Sequence, residues 1–132
     1  MTSHLGIRGQ TASARHLAPE LVARCFAART AAHFAHLKTR GYACHVALNE
    51  FYDGIIDATD SFIECYQGVF GIIASYPDVP LPSGELGPIK ELREWIAENR
   101  DAIARGQREL ENLIDEITTV CDRAIYKIVN LS

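Results

Sequence analysis

Residues 42–75 read YACHVALNEFYDGIIDATDSFIECYQGVFGIIAS, and the spacing of their apolar side chains decides the fold. Leu48, Tyr52, Ile55, Thr59, Phe62, Tyr66, Val69 and Ile73 recur at intervals of three and four. That repeat lays side chains along one face of an α-helix, so the stretch predicts a single helix from near Tyr42 to about Ser75. Phe70 to Ile73, taken alone, would also suit a short strand, but it continues the helical stripe. Gly54 and Gly68 each cost about 1 kcal/mol of helix propensity relative to Ala, so packing has to hold this helix together.

Working outward, Leu21, Cys25, Ala28, Ala32 and His36 keep the same period, and so do Val22, Phe26 and His33. They predict a first helix from about Ala18, with Pro19 in its first turn, where a missing N–H costs nothing, and Gly41 closing it. Residues 1–15 are small and polar with no period and predict a flexible arm. Downstream, Pro77, Pro80 and Pro82 exclude a regular helix before Pro88. Pro88 suits the first residue of a third helix with Leu92, Trp95, Ile96 and Asn99 on its inner face, ending between Ala102 and Gly106. A fourth helix is expected from about Arg108 to Asn130, with Leu110, Leu113, Ile114, Ile117, Val120, Cys121, Ala124, Ile128 and Leu131 as its stripe. The expected fold class is all-α: one four-helix bundle over residues 16–132, with a long crossover between the second and third helices.

Composition agrees with a packed domain. At 132 residues, the chain suits one core, and 48% apolar against 23% charged residues is globular rather than disordered. No run reaches the ~18–20 apolar residues of a membrane span, and residues 1–10 lack the apolar core of a secretory signal. A cytoplasmic or virion-interior location is the expectation. Cys25, Cys44, Cys65 and Cys121 form no C-x-x-C pair and sit among apolar residues, which predicts buried free thiols in a reducing compartment. The net charge of −4 hides a split: residues 1–49 hold six basic residues against Glu20 alone, while residues 50–132 hold seven basic and sixteen acidic. A basic first helix beside an acidic second one would account for this, and so would a basic surface that meets nucleic acid.

The second helix carries the chemistry. At ~100° per residue, His45, Asn49, Asp53, Asp60 and Glu64 share a stripe about 100° wide. Asp60 and Glu64 lie four apart, within reach of one ion from adjacent turns. The first helix adds His33 and His36, three apart on one face. Mixed imidazole and carboxylate donors suit iron, manganese or zinc, whereas a solvated acidic face is the bland alternative. No E-x-x-H pair is present, which excludes the ordinary di-iron site within one bundle. Nucleophile-elbow, H-E-x-x-H and phosphate-loop motifs are absent too. Tyr52 and Tyr66 read as core or interface residues and Trp95 as core.

The stretch from His36 through Tyr42-Ala-Cys-His45 to Asn49 and Asp53, continuing to Asp60-Ser-Phe-Ile-Glu64, resembles the mini-ferritins known as starvation-induced DNA-protecting proteins. It is similar, more closely, to ferritin-like proteins of phages and other large DNA viruses, whose segment reads His-Trp-x-Thr-Lys-Ser-Tyr-Ala-x-His, then Tyr-Asp, then Asp-x-x-x-Glu. Here Leu37 replaces the Trp and Gly41 the Ser. In the mini-ferritins an Asp and a Glu follow the second His by fifteen and nineteen residues, and Asp60 and Glu64 stand at those distances from His45. The family also has an Asp four residues after that His. This chain has Asn49 there, a weaker cation ligand, with Asp53 one turn further on.

The resemblance implies a ferritin-like homo-oligomer, a hollow shell, that binds two iron ions per site and oxidises ferrous iron with peroxide or oxygen. Its metal ligands would be His36, His45, Asp60 and Glu64, with His33, Asn49 and Asp53 as weaker candidates, and each site would be shared between two-fold-related subunits. DNA is an implied partner, although the arm offers only Arg8 and Arg15, so phosphate affinity would rest on many arms acting together. The competing reading is a non-enzymatic structural or interaction protein, such as a phage virion component bound to other virion proteins, that keeps the bundle without metal chemistry.

Overall fold

The computed structural model describes the backbone of residues 2–131 and the side chains of residues 16–131. It has four helices, α1 (Thr2–Lys38), α2 (Tyr42–Phe70), α3 (Gly87–Ala104) and α4 (Arg108–Asn130), with no strand among the described residues. The flexible arm expected over residues 1–15 falls outside the described side chains, and so do Arg8 and Arg15. The molecule is an all-α four-helix bundle. α1 and α4 each pack against α2 and α3 and lie diagonal to one another. None of the described helices is long and apolar enough to cross a membrane.

Three contacts fix the directions. The Cys44 thiol in the first turn of α2 donates to Glu85, just ahead of α3. At the other end the Arg105 guanidinium, just past α3, lies 3.9 Å from the Phe70 ring centroid. Lys127, near the end of α4, pairs with Glu50, near the start of α2. Diagonal helices α2 and α3 therefore run the same way. Residues 71–86 carry the chain back alongside Arg24, Ala28, Ala31 and Phe34 of α1. An extended connection of that length reaches about 50 Å, enough to pass a helix such as α2 at about 43 Å.

The core is the predicted stripes meeting on the bundle axis. Leu21 of α1, Phe51, Ile55 and Phe62 of α2, Ile96 of α3 and Ile114 and Ile117 of α4 are fully or almost fully buried. Ala28, Ala31, Ala32 and Ala35 are the small buried side of α1, and Ala28, Ala31 and Ala35 line the grooves against which the 71–86 connection runs. Ion pairs then tie the helices from outside: Arg93 to Asp122 and Arg100 to Asp115 join α3 to α4. No ion pair joins α1 to α2 among the described residues, where α1 pairs only Arg24 with its own Glu20. The acidic face of α2 is thus not neutralised by the basic helix beside it.

Several boundaries differ from the expectation. α2 stops at Phe70, five residues before Ser75, because Gly71 takes φ 101° and ψ 164°, a backbone only glycine adopts freely. Its N–H still reaches the Gln67 carbonyl, and the Gln67 side chain accepts the Ile73 N–H at 2.9 Å, closing the helix. Pro19 sits inside α1 rather than at its first turn. Phe26, Val69 and Leu131 are about half-exposed, and Asn99 is only partly buried, its amide donating to the Trp95 carbonyl. Ile89 and Ile103 take the inner places on α3 instead. All four cysteines are free. Cys25, Cys44 and Cys121 are buried, while Cys65 is partly exposed. Burial pushes the Cys25 thiol up to about 12, against a smaller opposing pull from the Thr59 hydroxyl. Burial raises Cys121 further still. Both thiols therefore stay protonated and unreactive near neutrality.

Candidate metal centre

The site is built at the short α1–α2 turn. α1 closes with Thr39 N–H on the Ala35 carbonyl, and α2 opens with His45 N–H on the Gly41 carbonyl at 2.9 Å. Extended backbone at Gly41 (φ −91°, ψ 123°) makes the reversal. Across this turn His36 and His45 face one another. The Nδ1 of His36 contacts the backbone oxygen of His45 at 2.9 Å, and the Nδ1 of His45 contacts the backbone oxygen of His36 at 3.0 Å. The two rings stack with centroids 3.7 Å apart.

This reciprocal clasp settles the tautomer. A carbonyl oxygen only accepts, so each Nδ1 must carry the hydrogen. In a neutral imidazole Nε2 then holds the lone pair, the arrangement by which a backbone carbonyl orients a histidine for a metal. His36 is buried and His45 partly so.

A second layer of contacts lies beneath the pair. The Tyr52 ring stacks on His33 at 4.2 Å and meets His36 edge-on at 5.3 Å. The Tyr52 hydroxyl donates to Asn49 Oδ1 at 2.7 Å, and Asn49 Nδ2 donates to Asp53 Oδ2 at 2.9 Å. Arg29 lies 5.6 Å from the Tyr52 centroid. Tyr52 is the functional neighbour that the apolar stripe concealed, since an aromatic residue at a stripe position reads as core. Its position three residues past Asn49 is the signal that was available.

Not all the expected ligands meet. His33, His36 and His45 gather with Asn49 and Asp53 nearby. Asp60 and Glu64 are exposed, lie about 22 and 28 Å along α2 from His45 by the helical rise, and make no hydrogen bond or ion pair with a described residue. Among the described residues, no three His, Cys, Asp or Glu side chains lie together in a way that could hold a metal within one chain. Beside the clasp, the Cys44 thiol donates to Glu85 at 3.1 Å. Hydrogen bonds from the Thr39 hydroxyl and then from Cys44 hold the Glu85 carboxyl below its usual range, while burial raises Cys44. These contacts pin the end of the 71–86 connection to the turn that carries the imidazoles.

Fold and site together define a four-helix bundle with paired, carbonyl-oriented imidazoles at its first turn. The model of a family of unknown function (DUF5856) matches residues 36–128, and the chain belongs to that family. The matched region begins at His36 and takes in the clasp, the acidic face and all of α3. No curated protein and no solved structure matches the chain.

Proposed function

We propose that this protein is a ferritin-like, iron-binding homo-oligomer of mini-ferritin type. The observation that carries the reading is the reciprocal clasp, which presents two Nε2 lone pairs from rings that cannot turn away. The path of residues 71–86, returning the chain along α1 so that α2 and α3 run parallel on a diagonal, suits a ferritin-like crossover.

The carboxylates of one chain are too far from its own imidazoles, so a second copy has to supply them. A two-fold axis crossing α2 near Asp53 and Gly54 lies midway between His45 and the Asp60–Glu64 pair. Antiparallel pairing about it sets each imidazole pair against the carboxylates of the other copy. The outer side of α1 supports pairing, since Phe26, Phe34 and Leu37 leave 42%, 50% and 69% of their surface open to solvent. When bound, the metal would supply the redox chemistry. The chain's part would be to orient the imidazoles, place carboxylates opposite them, and admit peroxide or oxygen.

Aerobic oxidation of ferrous iron by the purified protein, against His45→Ala and Asp60→Ala, tests this with metal content read on the same samples. Oxidation above buffer, lost in both variants, is the expected result. A folded protein with no bound metal and no oxidation would sink the reading and leave the interaction protein, for which the same exposed apolar residues are the supporting observation.

A further inference from the structure

We infer that Tyr52 is a positioning residue for the imidazole cluster, and that Asn49 and Asp53 act through it as a brace rather than as ligands. The inference deepens the metal reading and rests on it for its consequence, tighter metal binding. The brace itself is a property of the metal-free chain.

A carboxylate can only accept, so Asp53 Oδ2 at 2.9 Å selects the amide nitrogen of Asn49 and fixes which way round the amide lies. That turns Asn49 Oδ1 toward the Tyr52 hydroxyl, which donates at 2.7 Å and sets the ring plane. The ring then gives His33 a flat wall, 4.2 Å away at an interplanar angle of 17°, and meets His36 edge-on at 82°. His36 is held by the His45 ring in a stack, by the His45 carbonyl at Nδ1 and by the edge of Tyr52. An amide suits position 49 because only a group with both a donor and an acceptor can serve Asp53 and Tyr52 together. A carboxylate there would accept from Tyr52 but oppose Asp53.

The test reads ring-nitrogen NMR signals of His33 and His36 in metal-free protein, and cobalt(II) titration of the same samples. Asn49→Asp and Tyr52→Leu should move the ring signals and weaken cobalt binding about tenfold, the lower end for groups that orient metal-binding histidines. Tyr52→Phe, which keeps the ring and loses the hydroxyl, should fall between these and wild type. The double variant Asn49→Asp/Asp53→Asn reverses the donor and acceptor of the pair while leaving an oxygen for Tyr52, and should restore both readouts. If Tyr52 were merely structural, Asn49→Asp, which leaves the Tyr52 ring in place, would not move the ring signals, and unmoved signals in that variant overturn the brace. Tighter cobalt binding by Asn49→Asp would also overturn it, since position 49 would then be a ligand position, yet the metal reading would stand. Moved signals in a chain that binds no cobalt would uphold the brace and defeat the metal reading.

Discussion

A histidine ring that donates to a backbone carbonyl is anchored to something mutation of a neighbouring side chain cannot remove. His36 and His45 each use the other's carbonyl. His45→Ala should therefore leave the Nδ1 bond of His36 in place and remove only the stacked ring and one reciprocal bond. The variant should stay folded, losing about 1–3 kcal/mol for the hydrogen bond and the carbonyl left without its donor, which a urea titration measures. A second residue-scale effect concerns acid. The Arg100 guanidinium donates to both oxygens of Asp115, at 2.6 and 2.8 Å, and holds that carboxyl below its usual range. A folded pKa below the unfolded one adds stability that is complete above about pH 4 and lost as pH falls through the folded value. Melting temperatures recorded from pH 6 to pH 2 should drop more steeply for wild type than for Asp115→Asn below about pH 4. Near neutrality wild type should be the more stable by no more than about 1 kcal/mol, because the pair is partly solvated, and the two should converge toward pH 2.

At the scale of the helix, the end of α2 and the residue that caps it offer two glycines three residues apart with opposite expectations. Gly68 is helical, and a Cβ there would meet nothing within 4 Å, so Gly68→Ala should stabilise by about 0.5–1 kcal/mol. Gly71 has φ 101°, and Gly71→Ala should destabilise by about 1–3 kcal/mol. Thermal or urea unfolding of the two variants checks both signs. The same pair explains how far the elements were legible. The period of three and four located α2 and the buried Leu48, Ile55, Thr59 and Phe62, because burial on one helical face constrains every turn alike. It could not locate the end of α2, since Ile72 and Ile73 continue the apolar pattern while the stop depends on a single φ and on the Gln67 side chain. Nor could it find the clasp, whose acceptors are backbone oxygens brought together only by the α1–α2 turn. The grouping of His33, His36 and His45 was legible. The carboxylates at Asp60 and Glu64 were legible as a face, and their separations of fifteen and nineteen residues from His45 already place them several helical turns away.

Across the whole molecule, charge and apolar surface are segregated in a way that one chain leaves unsatisfied. α1 carries Arg29 and Lys38 without carboxylate partners among the described residues, α2 exposes Asp57, Asp60 and Glu64, and Phe26, Phe34 and Leu37 stand open to solvent. The interior, by contrast, is complete: Phe62 is fully buried, and Phe62→Ala should cost about 3–5 kcal/mol in urea unfolding, enough to threaten a domain of this size. If two copies share each site, defects on opposite sides of it should complement. His45→Ala spoils the imidazole half and leaves the carboxylates, and Asp60→Ala does the reverse. Mixed in equal amounts, unfolded and refolded together, about half of the dimers should contain one of each, and one of the two sites in such a dimer is then built wholly from intact halves. Ferrous-iron oxidation should return to about a quarter of the wild-type rate from two proteins that are each inactive alone. Sites contained within one chain would stay dead in every mixture, so recovery on refolding is the outcome that separates a shared site from a self-contained one.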